Sequence, residues 1–194
     1  MASAPAAGTT GLTYDDLLGF PDDGLRRELI GGELFVTPSP SFRHQGVVTE
    51  LVIALGLYGR EQGGKVRPAP MDVFLSERDV VEPDVLFLTA ANLSRAERPF
   101  IRGAPDVVVE VSSPSTRRHD LVRKLGLYER FGVPEYWFVD LDADRVEVYR
   151  LAGERFGPPI MLGRGEQLTS PLLPGFEASV DGLLGPADEL DAAP

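Results

Sequence analysis

Apolar positions follow two periods along the chain. Where they recur at the i, i+3/i+4 spacing of a helix, one face of a helix is to be buried, and where they run together between Gly, Pro, Asp and Ser, a strand is indicated. The helical spacing is clearest over 41–62, where His44, Val47, Val48, Leu51, Leu55 and Tyr58 share a face, Ser39 or Ser41 stands as a cap, and Gly63-Gly64 ends the element. It returns over 116–131, with Thr116 as N-cap, Leu121, Tyr128 and Phe131 as the stripe, Leu125 and Leu127 beside it, and Gly132 after it. A short helix over Tyr14–Leu18 opens with the pair Thr13 and Asp16 and cannot continue through Pro21. The strand pattern predicts a hairpin over 25–37 around Gly31-Gly32. It also predicts strands over 66–75 and 80–88, 106–111, 136–140, 145–151 and 155–162. Residues 92–98 read as a short helix or charged loop, and 168–185 as a cover packed over the sheet. The order predicts an α/β fold, a central mixed β-sheet flanked by helices; if strands 106–111 and 135–140 are parallel in one sheet, the connection between them should be a right-handed crossover.

Two charged residues interrupt these patterns. Glu110 lies inside the run Asp106–Val111, on the same strand face as Val108. Lys124 lies in the middle of the apolar stripe of the 116–131 helix, while Arg118, His119, Arg123, Glu129 and Arg130 take its solvent side. A carboxylate and an ammonium that both point into packing surfaces are costly apart and compatible together. Glu110 and Lys124 are therefore expected to meet. The plain alternative is a structural ion pair, or a lysine that snorkels to water. Asp84, after Pro83, is a second acid at the mouth of an apolar strand, and Asp72 precedes it in the neighbouring one. His44, in the first turn of its helix, reads equally as a capping or core histidine.

Composition narrows the chemistry. The chain of 194 residues suits one domain, expected over 12–185, with a disordered tail at 1–11 and an acidic tail at 186–194. There is no cysteine, which excludes thiol catalysis and disulfides, and the two histidines make a histidine-rich zinc site implausible. No leader pattern or membrane-spanning run is visible, so the expected location is cytoplasmic, with no membrane partner. A net charge of −11 argues against a broad cationic surface but leaves room for a local basic rim. Arg117, Arg118 and Arg123, with His119, cluster on the 116–131 helix, and Arg95, Arg98 and Arg102 cluster before the Glu110 strand. Such clusters beside a cleft would hold phosphates.

Asp84, Glu110 and a main-chain carbonyl at Val111 are hard oxygen donors suited to Mg²⁺ or Mn²⁺, and Lys124 supplies positive charge beside them. That set is what metal-assisted phosphodiester hydrolysis requires.

The order Pro83-Asp84, then Glu110-Val111-Ser112, resembles the PD-(D/E)XK motif of restriction-endonuclease-like nucleases. Ser112 stands where that motif has its lysine, and Lys124 resembles the lysine that has moved to the next helix in some branches. RRELIGGEL (26–34), TPSPSFRH (37–44), EPDVLFL (82–88), the long segment 103–140 and SPLLPGF (170–176) are similar to the Uma-two family of restriction-endonuclease-like proteins. The resemblance implies a restriction-endonuclease-like fold, Mg²⁺ dependence, a nucleic-acid substrate with DNA foremost, and site roles for Glu28 and His44 beside Asp84, Glu110 and Lys124. Family analogy and the apolar residues Leu172, Leu173 and Phe176 also suggest a homodimer. The competing reading is a non-catalytic interaction module that keeps the nuclease fold and an ion-pair core.

Overall fold

The computed structural model describes residues 8–37, 39–112 and 120–186. The hairpin at Gly31-Gly32 forms between β1 (Arg26–Ile30) and β2 (Glu33–Thr37), with Ile30 opposite Glu33. Both turn glycines have positive φ, 61° and 78°, as a two-residue turn of this kind requires. Ahead of it, α1 (Tyr14–Leu18) is held by Asp16 Oδ2, which accepts from the Thr13 amide and hydroxyl at 2.9 Å each. Residues 8–12, expected within or next to the tail, instead lie along the hairpin: the Gly8 amide donates to Leu34 O and the Leu12 amide to Gly32 O.

α2 (Phe42–Gln62) is the long helix of the pattern, capped by the Ser41 hydroxyl, which accepts from the His44 amide. Its buried residues are His44, Val47, Val48, Leu51, Leu55 and Gly59. The two strands expected after it are four. β3 (Lys65–Pro68) pairs with β6 (Val85–Leu88), whereas β4 (Val73–Ser76) pairs with β5 (Asp79–Val81) in a different sheet. Pro68, Pro70 and Pro83 lack the amide hydrogens that a continuous ladder needs, and at these points the chain passes from one sheet to the other. A 3-10 turn over Ala90–Arg95 and the short β7 (Ile101–Arg102) lead into β8 (Val107–Val111).

The expected 116–131 helix begins, within the described residues, as a wide π-type turn over Asp120–Lys124 and continues as α3 (Leu125–Arg130). Thr116, Arg117, Arg118 and His119 lie outside the described residues. β9 (Glu135–Asp140) follows, then β10 (Arg145–Ala152), β11 (Arg155–Phe156), β12 (Ile160–Gly163), β13 (Gln167–Ser170), β14 (Leu173–Ser179) and α4 (Val180–Leu184).

Three sheets result. One has the order β2-β1-β5-β4-β7, the second β11-β10-β9-β8-β6-β3 with β12 also on β10, and the third is the β13–β14 hairpin. β8 and β9 are parallel, which meets the condition for a crossover between them, and β4 and β7 are parallel too, so both larger sheets are mixed. The central strands of the seven-stranded sheet, β6, β8 and β9, are buried on both faces. Val85, Val107, Val109 and Val111 face α2, α4 and the β13–β14 hairpin; Leu86, Val108, Tyr136 and Phe138 face α3 and the five-stranded sheet. This explains why β8 is nearly continuous valine instead of alternating polar and apolar. Leu173 and Phe176 belong to the first core, and of the three residues offered as a dimer surface only Leu172 is exposed. The apolar run near the C-terminus is thus core cover: it packs on the same sheet face as α2, with Phe176 against Trp137 and Tyr58.

Candidate active site

Four elements converge at one end of β8. Within β8 successive side chains alternate, so Glu110 shares a side with Val108 and opens toward α3. On the helix, Lys124 and Tyr128 are four residues apart and therefore on one face. Both reach Glu110: the Lys124 ammonium donates to Glu110 Oε1 at 2.9 Å and the Tyr128 hydroxyl to the same oxygen at 2.6 Å. Lys124 Nζ also lies 2.8 Å from Glu28 Oε1 on β1, and that oxygen accepts from the Glu82 amide at 2.7 Å. Glu28 is fully buried, Lys124 and Glu110 are each 2% exposed, and Glu28 Oε2 has no hydrogen-bond partner. Burial, then the charges of Glu110 and Glu28, push the Tyr128 hydroxyl well above its usual range, so it stays an O–H donor.

Asp84 stands just before β6. Val85 pairs with Val109, so Asp84 falls beside Glu110 and Val111 across the antiparallel ladder. Its Oδ1 accepts from Arg26 Nη1 at 2.8 Å; its Oδ2 accepts from the Val111 amide at 2.9 Å and lies 3.1 Å from His44 Nε2. Burial works to raise the pKa of this carboxyl, but His44, the Arg26 guanidinium and the Val111 amide outweigh it and hold Asp84 well below the usual carboxylate range. An ionised carboxylate only accepts, so His44 Nε2 is the donor in that contact. His44 Nδ1 is buried and has no hydrogen-bond partner.

The structure therefore brings Glu28, His44, Asp84, Glu110 and Lys124 into one cluster. Three further residues join it. Arg26 bridges Asp84 and the Glu82 carbonyl. It could have been found by strand alternation, since Arg26 and Glu28 are two apart and share a face. Tyr128 was legible only as part of the apolar stripe. Glu82 precedes the Pro83-Asp84 pair; burial pushes its carboxyl up to about 7, with Asp72 and Glu28 adding to the rise and Arg26 opposing it. Asp72, in turn, takes a 3.3 Å hydrogen bond from the Tyr14 hydroxyl.

The other candidates lie elsewhere. Arg123 pairs with Glu33 at 2.6 Å and stacks over Phe35. Arg95 donates to the Ala104 carbonyl, and Arg102 pairs with Glu97 while stacking over Phe74 and Phe100. These are local braces, formed because an arginine beside a ring or carboxylate near the surface covers it at low cost. Asp106 accepts from the Thr89 amide and hydroxyl and from Asn92, which anchors the 3-10 turn and not the site.

Among the described residues the four acids Glu28, Glu82, Asp84 and Glu110 stand in this cluster with Arg26, Lys124 and the His44 ring, and carboxylates so gathered suit a divalent cation. Among the described residues no group of three or more His, Asp or Glu side chains is gathered as metal ligands. Mg²⁺ needs no such cage, because it binds through one or two carboxylates and keeps several waters. The donor chemistry at Asp84, Glu110 and the Val111 carbonyl fits it.

Mixed sheets flanked by helices, with an acid at one strand mouth, an acid inside the next strand and a lysine on the covering helix, make this a protein of restriction-endonuclease-like fold. A similar fold is found in a solved structure from Anabaena variabilis entitled a "putative nuclease belonging to DUF820", with a TM-score of 0.75 and 19% identity, over 89% of this chain and 97% of that one. The chain belongs to the Uma2 family, described as "Putative restriction endonuclease", whose model matches residues 13–181. No curated protein matches it. Among the described residues no helix is long and apolar enough to cross a membrane.

Proposed function

We propose that this protein is a divalent-metal-dependent nuclease that hydrolyses phosphodiester bonds of DNA, acting in the cytoplasm. The observation that carries the reading is the buried, acid-rich cluster in which Asp84, just before β6, and Glu110, in the neighbouring β8, stand on adjacent strands with Lys124 2.9 Å from Glu110. Asp84, Glu110 and the Val111 carbonyl would hold one Mg²⁺ or Mn²⁺, which when bound supplies Lewis acidity at the phosphoryl group. Arg26 and His44 hold Asp84 ionised and fix both of its oxygens. Glu28 and Glu110 fix Lys124 between them, so that its charge is in place before substrate arrives and needs no reorganisation as negative charge grows on phosphorus. Tyr128 fixes the rotamer of Glu110. Arg117 and Arg118 complete the proposal as phosphate contacts. Family analogy further suggests two copies, one for each strand of a duplex; sedimentation showing only monomer at micromolar concentration would remove that part.

The test is a titration of Mg²⁺ and of Mn²⁺ into the wild type and the Glu110→Gln variant. Metal should raise the melting temperature of the wild type and do so less in the variant. Cleavage of single-stranded and duplex DNA should require the metal and be lost in Glu110→Gln. A folded protein that takes up the metal but cuts no nucleic acid would establish the competing reading, an interaction module built on the nuclease fold.

A further inference from the structure

A cavity of about 680 Å³ opens beside Asp84, between the first turns of α2, the Pro68–Pro70 corner and the loop before β1. That lies within the range of about 300–1,000 Å³ typical of small-molecule sites and is too small for a duplex. Val48, Val52, Ile53 and Pro70 contribute apolar walls, whereas Arg26, His44, Glu82 and Asp84 supply its polar side. The hydrolysis proposed above uses Asp84 but not the cavity.

The polar side is rich in acceptors. Arg26 donates through Nη1 to Asp84 and through Nη2 to the Glu82 carbonyl, and its buried Nε–H makes no hydrogen bond. Glu82 Oε2 lies 3.7 Å from Arg26 Nε and makes no hydrogen bond, and His44 Nδ1 makes none either. The carboxylates of Glu82, Asp84 and Asp22 outnumber the single guanidinium, so the cavity repels a further phosphate. What suits it is a flat, uncharged, largely apolar body with N–H donors on one edge. Because Asp84 belongs to both, a group seated in the cavity is adjacent to a phosphodiester held at the cluster.

We propose that this cavity is a nucleobase subsite, taking one unpaired, amino-bearing base (adenine, cytosine or guanine) of the strand being cut. The proposal rests on the nuclease reading for its substrate and narrows it: a base in the cavity must leave its stack, so single strands, or duplexes from which a base is extruded, are the favoured substrates.

The test uses free nucleosides, which carry no phosphate and need no metal. Binding of deoxyadenosine and of purine deoxyriboside, the same molecule without its amino group, is measured by saturation-transfer NMR on the wild-type protein. Deoxyadenosine should bind about tenfold more tightly, the worth of one hydrogen bond from its amino group. Thr49→Trp places a bulky ring over the cavity from an exposed helix position and should abolish binding while leaving the melting temperature near that of the wild type. Ile53→Trp, 48% exposed on the same wall, serves if the first variant folds poorly. Equal affinity for the two nucleosides, no binding at millimolar concentration, or binding that survives both tryptophans overturns the assignment. Amino-dependent binding in a protein that cuts no nucleic acid supports the subsite and removes the nuclease; metal-dependent cutting without nucleoside binding does the reverse.

Discussion

Lys124 holds one positive charge between two buried carboxylates, with Glu28 at 2.8 Å and Glu110 at 2.9 Å. Removing it takes from both acids the cation that lies within 3 Å of each. Lys124→Met should therefore cost about 3 kcal/mol in chemical denaturation at neutral pH, on top of any loss of cleavage. Adding Glu28→Gln should recover part of that cost; strictly additive effects would mean that the two are not coupled. Glu82 gives the pH signature. Its carboxyl goes from 4.5 to about 7 on folding, chiefly through burial. The folded state thus binds this proton more tightly, so the penalty is absent below about pH 4.5 and complete above about pH 7. Glu82→Gln should stabilise the protein by about 1–2 kcal/mol at pH 8, after allowance for partial exposure, and should have no effect near pH 4. A gain that is the same at both values would place the cause in packing, not charge.

At the scale of elements, α2 is both wall and clamp. Its stripe seals one face of the seven-stranded sheet, and its first turn delivers His44 to Asp84. Where the helix ends, the chain must turn against the sheet at very short range. A Cβ at Gly64 would come within 2.3 Å of Phe87 Cζ and 2.9 Å of Leu88 O. Gly64→Ala should cost about 1–3 kcal/mol as a fall in the melting temperature, because Phe87 is core and has no space to retreat into. Gly63 and Gly64 were legible as a stop, but the close approach was not, since it depends on β6 lying beneath the turn.

For the whole molecule, the seven-stranded sheet is shared by two cores. Phe176 stacks on Trp137 at 5.7 Å between ring centres and so ties the β13–β14 hairpin to the central strand β9. Phe176→Ala should cost about 3 kcal/mol. Because both cores use the same strands, secondary structure and aromatic signals should still be lost in one transition with denaturant; two separate transitions would show that the hairpin cover unfolds on its own.

The sequence by itself determined the helix faces, the hairpin turn, and the fact that Glu110 and Lys124 point into the same packing space. These follow from periods of 3.6 and 2.0 residues and from Gly and Pro punctuation, all of which are local. The tertiary structure alone decided that the strands read as two are four in separate sheets, since proline marks a break without saying where the chain goes next. It alone set Arg26 on Asp84 and Glu28 on Lys124, contacts spanning 58 and 96 positions that depend on how the hairpin sheet docks against β6 and α3. It also turned the apolar residues Leu173 and Phe176 into core, because a hydrophobic pattern states that a face will be buried and leaves open which surface buries it.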